Sequence, residues 1–463
     1  MSAGFSYKTF RREVLGADLL VPITRGKQVP YIHFDNAAST PALKPIMEQM
    51  MEFLAWYSGV HRGTGHKSIL CSQVYEKCHT QIGQFVQADL EHDTVILVKN
   101  TTEAINKLAC RLNFSADDVV VSSEMEHHSN DLPWRKHARV VYTRVDEQGL
   151  LDYKHLEELL QQHYPQVKLV TITGASNVTG HLNDLDFIAR LAHEYNAEFM
   201  VDAAQLAPHH AINMHLHHDP RHIDYLVFSG HKIYAPFGTG VLIGPKNTFL
   251  HGEPDIIGGG TVNLVTPNLI TWAELPDREE AGSPNVMGAF ILAKTLEYLQ
   301  ALNLQNITAY EKILTDYALQ RLQTIPGIII YGVGPRLGVI SFNLESIIHN
   351  QLGTMLSFEA GIGVRTGCFC AQHYVRKLLD EKTPSSLSNN NTYPMENLPG
   401  MVRISLAAYN THNEIDRLID ILKQIADHPH YYRRKYPYSH IRGTYYPRDD
   451  NLQNWPAHYN LII

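Results

Sequence analysis

Short apolar runs alternate with helical patterns through the middle of the chain, and this alternation restricts the fold more than any other feature. The runs occupy residues 95–98, 119–121, 168–173, 199–202, 226–229 and 240–243. Between them, apolar residues recur at helical spacing, as at Ile105, Leu108 and Leu112. Strands that alternate with helices are typical of βαβ units around a mostly parallel sheet. We therefore predict an α/β fold whose large domain has a mostly parallel sheet flanked by helices.

The pattern changes after about residue 276, where a smaller α+β domain is predicted. A helix over 286–299 leads into mixed elements that include a strand at 337–342. The last helix begins at Thr411, with Glu414 in the capping-box position. Within this domain, the polar residues 380–399 are predicted to form a mobile loop. The predicted units are an N-terminal segment at 1–30, a large domain at 31–275, a small C-terminal domain at 276–427 and an aromatic and basic tail at 428–463.

Composition excludes several classes of protein. The 463 residues carry 39 basic and 47 acidic side chains, a balance that shows no basic surface for nucleic acid. No apolar stretch approaches the roughly 20 residues needed to cross a bilayer, and the N-terminus does not resemble a secretory signal. Five cysteines make no disulfide framework, and the 27 histidines form no recognisable set of metal ligands. We expect a cytoplasmic protein that binds no nucleic acid, membrane or metal.

Two of the predicted strands lead to an acid and a lysine. Asp202 ends the run 199–202, and Lys232 follows the run 225–228 after three small or polar residues. Open α/β folds bind their ligands at the carboxyl edge of the sheet. A lysine held there can lose its proton by desolvation and attack a carbonyl, and a neighbouring acid can keep a ring nitrogen protonated. Pyridoxal phosphate requires this pair, whereas Lys232 taken alone would be interpreted as a solvated surface charge.

A turn between a predicted strand and a predicted helix, residues 100–103, suits a phosphate monoester. Helix N-termini expose unpaired N–H groups and the positive end of the helix dipole. Thr101 or Thr102 could merely cap the helix, but Ser229 and His231, just before the lysine, could supply two further donors to the same phosphate. No GxGxxG or GxxxxGK[ST] motif follows a predicted strand, which argues against dinucleotide and triphosphate ligands.

Short segments spread over about residues 30–425 carry a resemblance to a known family. They are FDNAAST (34–40), HRG (61–63), NTTEAIN (100–106), MEHHSN (125–130), SNVTG (176–180), VDAAQ (201–205), SGHK (229–232), GGG (258–260), EAGSPN (280–285), RTGCFCAQ (365–372) and VRISLAAYNTHNEID (402–416). In this order they resemble the class V aminotransferases, which are pyridoxal 5'-phosphate enzymes, and most closely their cysteine desulfurase and selenocysteine lyase branch. The resemblance implies fold type I, in which the large domain has a mostly parallel sheet of about seven strands. It also implies a homodimer.

The resemblance also implies which residues hold the cofactor. Lys232 would bind it covalently, Asp202 would pair with its pyridine nitrogen, and Gln205 would reach its phenolic oxygen. His127 would stack on the ring and act in catalysis. The phosphate would be held by Thr101, Thr102, Ser229 and His231, while Ser283 would reach the phosphate in the neighbouring subunit. The alternative interpretations are an ordinary surface histidine for His127 and a loop cap for Gln205.

The substrate end of the site is implied in the same way. Asn177, Arg365 and Arg403 would bind the amino-acid substrate, with Arg403 forming the bidentate pair that fits its carboxylate. A structural carboxylate partner for Arg403 and a loop cap for Asn177 are the alternatives. Cys370 would be the catalytic cysteine, unless it is only a small buried hydrophobe.

The cysteine segment departs from the pattern of this branch. A persulfide-forming cysteine must be a partly exposed thiolate on a movable loop, and Arg365 and His373 are candidates for favouring that form of Cys370. Cys368, two positions earlier, looks more like the desulfurase portion of molybdenum-cofactor sulfurases. It could relay sulfur, form a redox-sensitive bond or, with His373, bind a metal.

The resemblance therefore predicts an enzyme that converts L-cysteine to L-alanine and leaves a persulfide on Cys370, for delivery to a sulfur-acceptor protein. Selenocysteine is an alternative substrate. An aminotransferase, an epimerase or another lyase on the same scaffold would use a different amino acid. A catalytically idle relative that serves as a scaffold is a third hypothesis, against which the retained Lys232, Asp202 and Arg403 argue.

Overall fold

A seven-stranded sheet forms the centre of the computed structural model, which describes residues 5–24, 26–380 and 399–448. The strands are β1 Leu20–Pro22, β2 Gln28–Pro30, β3 Ile32–His33, β4 Asp93–Val98, β5 Val119–Ser123, β6 Arg139–Thr143, β7 Val167–Thr173, β8 Glu198–Asp202, β9 Tyr225–Ser229, β10 Gly240–Pro245, β11 Val262–Thr266, β12 Leu269–Trp272, β13 Ile328–Tyr331, β14 Val339–Leu344, β15 Ile362–Gly363, β16 Arg365–Gly367, β17 Met401–Ser405, β18 Tyr438–Ser439 and β19 Thr444–Tyr445. The helices are α1 Tyr7–Glu13, α2 Lys44–Leu54, α3 His66–Phe85, α4 Thr101–Arg111, α5 Leu132–His137, α6 Tyr153–Gln162, α7 Leu185–Glu194, α8 Lys246–Leu250, α9 Val286–Ala301, α10 Leu304–Leu322, α11 His349–Ala360, α12 Gln372–Leu378, α13 His412–Asp427 and α14 Pro429–Lys435.

The order of strands in the central sheet is β4-β10-β9-β8-β7-β5-β6. All of these strands run in one direction except β10, which is antiparallel to both of its neighbours. The inner strands β7, β8 and β9 are almost wholly buried, because helices cover both faces of the sheet. The predicted fold class, a mostly parallel sheet of seven strands flanked by helices, is confirmed.

A second, antiparallel sheet of order β13-β14-β17-β16 lies in the C-terminal part of the chain. Helices α10, α11 and α13 pack on it around their own apolar core. Helix α13 begins at the predicted position, with the Thr411 side chain and Glu414 forming the capping box. Helix α9, by contrast, packs against α2 and α3 of the preceding part. We therefore propose the division into a large and a small domain with α9 on the large-domain side.

The described part of the tail is folded onto the small domain. Helix α14 and the hairpin β18–β19 follow α13, and the buried Tyr432 and Tyr436 belong to the small-domain core. Gln351 of α11 donates a 2.7 Å hydrogen bond to the carbonyl of Tyr436. The predicted mobile loop at 380–399 falls almost entirely on residues 381–398, which lie outside the described residues, as does the tail beyond residue 448. None of the helices in the described ranges combines the length and apolar character that crossing a bilayer requires.

The direction of the strands brings several predicted site residues to one place. Asp202 ends β8, Ser229 ends the adjacent parallel β9, and Thr173 ends β7 on the other side. Helix α4 starts at Thr101, shortly after the end of β4 on the same edge. The carboxyl edge of the sheet is where open α/β folds place their ligands.

Candidate active site

A cavity of about 350 Å³ opens at this carboxyl edge. It is lined by every predicted site residue but one: Thr101, Thr102, His127, Asn177, Asp202, Gln205, Ser229, His231, Lys232, Arg365, Cys370 and Arg403. Ser283 lies instead in a groove beside Gly259, Gly260 and residues 57–62. Because Ser283 was assigned to the neighbouring subunit's cofactor, its place outside this cavity leaves that role a prediction.

The lysine and the acid lie on adjacent strand ends. Lys232 closes the short 3₁₀ turn after β9, and Asp202 is the last residue of β8. Burial lowers the pKa of Lys232 to about 8, the positive charge of Arg403 acts in the same direction, and Asp202 opposes both. Burial also raises the pKa of Asp202, against a 2.9 Å hydrogen bond from the Ala204 N–H and the charge of Lys232. At pH 7, about a tenth of an amine with this pKa is neutral and nucleophilic.

The lowered pKa of Lys232 can be tested by labelling the cofactor-free chain. We expect its rate of acylation to rise as the pH increases through about 8 and then to level off, because only the neutral amine reacts. Lys154, whose side chain is 87% exposed, is an internal reference for the reagent in the same sample. Competitive labelling with peptide mass spectrometry measures both lysines. A midpoint for Lys232 at the ordinary lysine pKa of about 10.4 would contradict a desolvated amine.

His127 faces the cavity as a neutral imidazole. Burial lowers its pKa to about 3, and the charges of Lys232, His128 and Arg403 act in the same direction. Its Nδ1 accepts a 3.1 Å hydrogen bond from the Ser129 N–H. Since Nδ1 is an acceptor, the single proton of the neutral ring resides on Nε2. The ring can therefore donate that proton or exchange it at neutral pH.

Hydroxyl groups surround the start of helix α4. The Thr101 N–H and hydroxyl lie 2.8 and 2.7 Å from the Ser229 hydroxyl, and the Thr102 hydroxyl lies 2.7 Å from that of Ser129. Asn100 caps the helix, with its side-chain oxygen accepting from the Glu103 N–H. Burial lowers the pKa of His231 to about 4, with Lys232 acting in the same direction, so its ring is neutral. A helix N-terminus lined with hydroxyl groups is chemically suited to a phosphate.

Gly240 allows this helix start to approach the sheet. A Cβ atom at this position would lie 2.5 Å from the Cα of Asn100, closer than real Cβ atoms come to backbone. Ser129, which also lines the cavity, was not among the predicted residues. It belongs to the MEHHSN segment, so the sequence contained its signal, but nothing in the spacing indicated its contact with Thr102.

Arg403 lies in the middle of β17 and is only 3% exposed. Its Nη1 donates to the Asn177 carbonyl at 2.9 Å and its Nη2 to Asp35 at 3.1 Å, while its Nε is buried without a partner. Arg365 contacts the other oxygen of Asp35 at 2.8 Å. Burial lowers the pKa of Arg403 to about 10, against the charge of Asp35, so the guanidinium stays protonated at neutral pH. Asp35 thus joins both predicted substrate-binding arginines, although it was not predicted as a site residue.

Cys370 is exposed on a loop between β16 and α12. Phe369 and Cys370 both adopt the left-handed backbone region, with φ of 52° and 55°, which is uncommon outside glycine. The backbone is anchored on both sides: the His128 N–H donates to the Cys370 carbonyl at 2.7 Å, and the Asn177 amide donates to the Phe369 carbonyl at 2.8 Å. The exposed thiol therefore lies on a hydrogen-bonded loop that lines the cavity.

Cys368 and His373 differ from Cys370 in their surroundings. Cys368 is partly buried, and its thiol contacts the Pro399 carbonyl at 2.9 Å. His373 packs edge-on against Tyr142 and lies 3.9 Å from Glu124. Neither cysteine is in a disulfide, and within the described ranges no cluster of possible metal ligands includes Cys368 or His373.

Comparisons with known proteins give this cavity a family context. The family model described as "Aminotransferase class-V" matches residues 32–418. A cysteine desulfurase from Shigella sonnei (strain Ss046) is 35% identical over 429 residues, which cover 90% of this chain and 98% of that protein. Among solved structures, the apo cysteine desulfurase from Thermococcus onnurineus NA1 has a TM-score of 0.80 at 28% identity, covering 92% of this chain and 100% of that one. The cysteine desulfurase CsdA from Escherichia coli has a TM-score of 0.77 at 27% identity, covering 91% and 99%.

Proposed function

Because this chain belongs to the class V aminotransferase family, we propose that it is a cysteine desulfurase that uses pyridoxal phosphate. It converts L-cysteine to L-alanine and retains the sulfur as a persulfide on Cys370. One observation carries the proposal: the desolvated Lys232, the buried Asp202 and the exposed Cys370 line the same cavity. The relatives named cysteine desulfurase match this chain over nearly its whole length.

The cavity fits the cofactor. Thr101, Thr102, Ser229 and His231 would hold the phosphate, Asp202 would face the pyridine nitrogen, and Lys232 would bind the aldehyde carbon. The hydroxyl groups at the start of α4, which Gly240 allows to lie close to the sheet, offer the hydrogen-bond donors that a phosphate group needs. When bound, pyridoxal phosphate supplies the electron sink that makes bond cleavage at the substrate carbons possible.

The chain's own residues would orient the substrate and move its protons. Arg403, with the Asn177 amide nearby, would bind the α-carboxylate, because a guanidinium fork matches a carboxylate. The Lys232 amine would exchange the proton on Cα, and the proton on His127 Nε2 would be available to the reacting sulfur or carbon atoms. Burial of these groups excludes water and keeps the amine partly neutral.

Cys370 would then carry out the sulfur transfer. Its thiolate attacks the substrate sulfur, so that a sulfur–sulfur bond forms as the Cβ–sulfur bond breaks. The electron pair from the broken bond stays with the substrate carbon skeleton, which takes up a proton and leaves as alanine. An acceptor protein would later remove the persulfide sulfur from the exposed loop.

Arg403→Lys should impair binding of the substrate carboxylate. We expect the KM for L-cysteine to rise about 10²-fold, because a lysine cannot replace the bidentate contact at a buried position. Steady-state kinetics should show a much smaller effect on cysteamine, which lacks the carboxylate. Arg365→Lys is a matched control at the half-exposed neighbour, where the expected loss is smaller. Equal losses on both substrates would indicate that Arg403 serves the fold through Asp35 instead.

The proposed reaction is tested by measuring products from L-cysteine with the purified, cofactor-loaded chain. Alanine formed together with sulfide released by an added thiol is the expected result. Amino transfer that depends on a keto acid, without sulfide, would overturn the proposal in favour of an aminotransferase. A protein that takes up no pyridoxal phosphate would favour the scaffold hypothesis.

We also propose a homodimer. The hairpin β11–β12 exposes Leu264, Val265, Leu269 and Ile270, and it lies in the chain segment that precedes Ser283. Four exposed apolar side chains on one hairpin support the proposal that another chain covers this surface. A dimer would allow Ser283 to reach the cofactor phosphate of the second subunit.

A further inference from the structure

A cluster of two histidines and an aspartate lies at the opposite edge of the central sheet from the active site. Asp93 is the first residue of β4, and His217 and His222 lie in the segment that leads into β9. We propose that Asp93, His217 and His222 bind a divalent transition-metal ion of the zinc type. The inference does not depend on the proposed reaction, because none of the three residues lines the active-site cavity.

The three side chains offer ligand atoms at the right separation. One potential ligand atom from each residue lies within 4.8 Å of those from the other two. The Nε2 of His217 is 2.8 Å from an oxygen of Asp93, and the centroids of the two imidazole rings are 4.1 Å apart. The other oxygen of Asp93 accepts from the Asp89 N–H at 3.2 Å, which fixes the orientation of the carboxylate. Metal sites commonly hold their ligands by such additional hydrogen bonds.

The state of His222 is a separate observation that indicates a ligand. This residue is only 2% exposed. Its Nδ1 lies 3.1 Å from the carbonyl oxygens of Met214 and His215, so Nδ1 must carry a proton, because a carbonyl only accepts. The Nε2 is buried without a hydrogen-bond partner, and in the tautomer with its proton on Nδ1 this atom carries the lone pair that can bind a metal. A buried polar atom without a partner is costly, and a metal ion would satisfy it.

The donor set selects the kind of metal. Two imidazole nitrogens and one carboxylate oxygen suit zinc and its neighbours in the first transition row, whereas magnesium and calcium prefer oxygen ligands alone. His217 is partly exposed, which leaves a fourth position open to water. To coordinate through Nε2, His217 would shift its proton from Nε2 to Nδ1. Binding would then replace its hydrogen bond to Asp93 with two bonds to the metal.

The sequence did not predict this site, because its members are far apart along the chain. Asp93 and His217 are 124 residues apart and meet only through the pairing of strands in the sheet. A metal ion here would link the edge strand β4 to the segment before β9. We therefore expect it to stabilise the fold and to have no direct part in the chemistry at the other edge.

Titration of Zn²⁺ into the chelator-treated, cofactor-loaded chain tests the proposal. Isothermal titration calorimetry should show a high-affinity site in the wild type that is weakened at least tenfold in His217→Ala. His218→Ala removes an exposed histidine from the same segment and should bind like the wild type. Zinc held by exposed thiols such as Cys110 and Cys370 would persist in all three proteins. The difference in zinc binding between the wild type and His217→Ala therefore measures the proposed site alone.

Thermal unfolding supplies a second readout. Zn²⁺ should raise the Tm of the wild type and of His218→Ala by a few degrees and leave that of His217→Ala unchanged. Asp93→Asn keeps the shape of the side chain and should also lose the rise in Tm. This variant tests the site even if His217→Ala folds poorly. Equal zinc binding by the wild type, His217→Ala and Asp93→Asn would overturn the proposal. A wild type that binds no zinc would also overturn the proposal, because the three side chains would then form only a hydrogen-bonded cluster.

Discussion

Lys232→Ala is expected to lower the rate of alanine formation from L-cysteine by about 10³-fold or more, the upper range for a positioned proton-transfer group. The loss should be this large because, in the proposed mechanism, Lys232 both binds the cofactor and exchanges the substrate's Cα proton. Its burial lowers the pKa of the amine to about 8, although the charge of Asp202 at the adjacent strand end acts in the opposite direction. Steady-state measurement of alanine, together with the visible absorbance of the bound cofactor, tests the expectation.

Lys154→Ala is the matched control for that variant. Its side chain is 87% exposed and forms only a surface pair with Glu158, so its loss should leave activity and cofactor absorbance unchanged. Far-ultraviolet circular dichroism verifies that both variants fold. Lys232→Ala with near wild-type turnover would contradict the assignment of this lysine to catalysis.

Cys370→Ser is expected to abolish sulfur transfer while the cofactor remains bound. A serine hydroxyl cannot accept the substrate sulfur, so alanine and sulfide formation should fall by about 10³-fold or more. The cofactor absorbance should persist, because Cys370 stands on a loop at the cavity and the residues proposed to hold the phosphate lie mainly at the start of α4. Trapping the persulfide with an alkylating reagent and mapping it by mass spectrometry locates the sulfur directly.

Two further cysteine variants test whether the loss of sulfur transfer is specific to Cys370. Cys110→Ser removes another exposed thiol, on helix α4, and should retain full activity. Cys368→Ser distinguishes a relay from a single nucleophile: transfer to an added thiol acceptor falls if Cys368 passes the sulfur on. A persulfide on Cys368 in the Cys370→Ser protein, with alanine formation intact, would contradict the proposed role of Cys370.

The fold was predictable where burial imposes a simple pattern. Strands β7, β8 and β9 are almost wholly buried, so they appear in the sequence as mostly apolar runs without a strict alternation of polar and apolar residues. Strand β6, at the edge of the sheet, begins with an exposed arginine and is only partly buried, and it was not predicted. The structure of the tail could not be decided from the sequence, because α14 is a short aromatic and basic helix without an amphipathic period.

The candidate site was likewise predictable only where its residues follow a local sequence pattern. Lys232 and Asp202 could be placed from local patterns, since each follows an apolar strand. Asp35 and Ser129 belong to recognised segments, but their contacts with Arg403 and Thr102 depend on long-range packing. The Asp93, His217 and His222 cluster exists only because the sheet brings together distant parts of the chain. Local sequence patterns carry no information about such pairings.

The most direct test of the whole account is reduction of the pyridoxal-phosphate-loaded chain with borohydride, followed by digestion and mass spectrometry. Borohydride makes the bond between an amine and the cofactor aldehyde permanent. The account predicts one modified lysine, Lys232, with loss of the tag in Lys232→Ala. A tag on another lysine, or a chain that carries none, would contradict it.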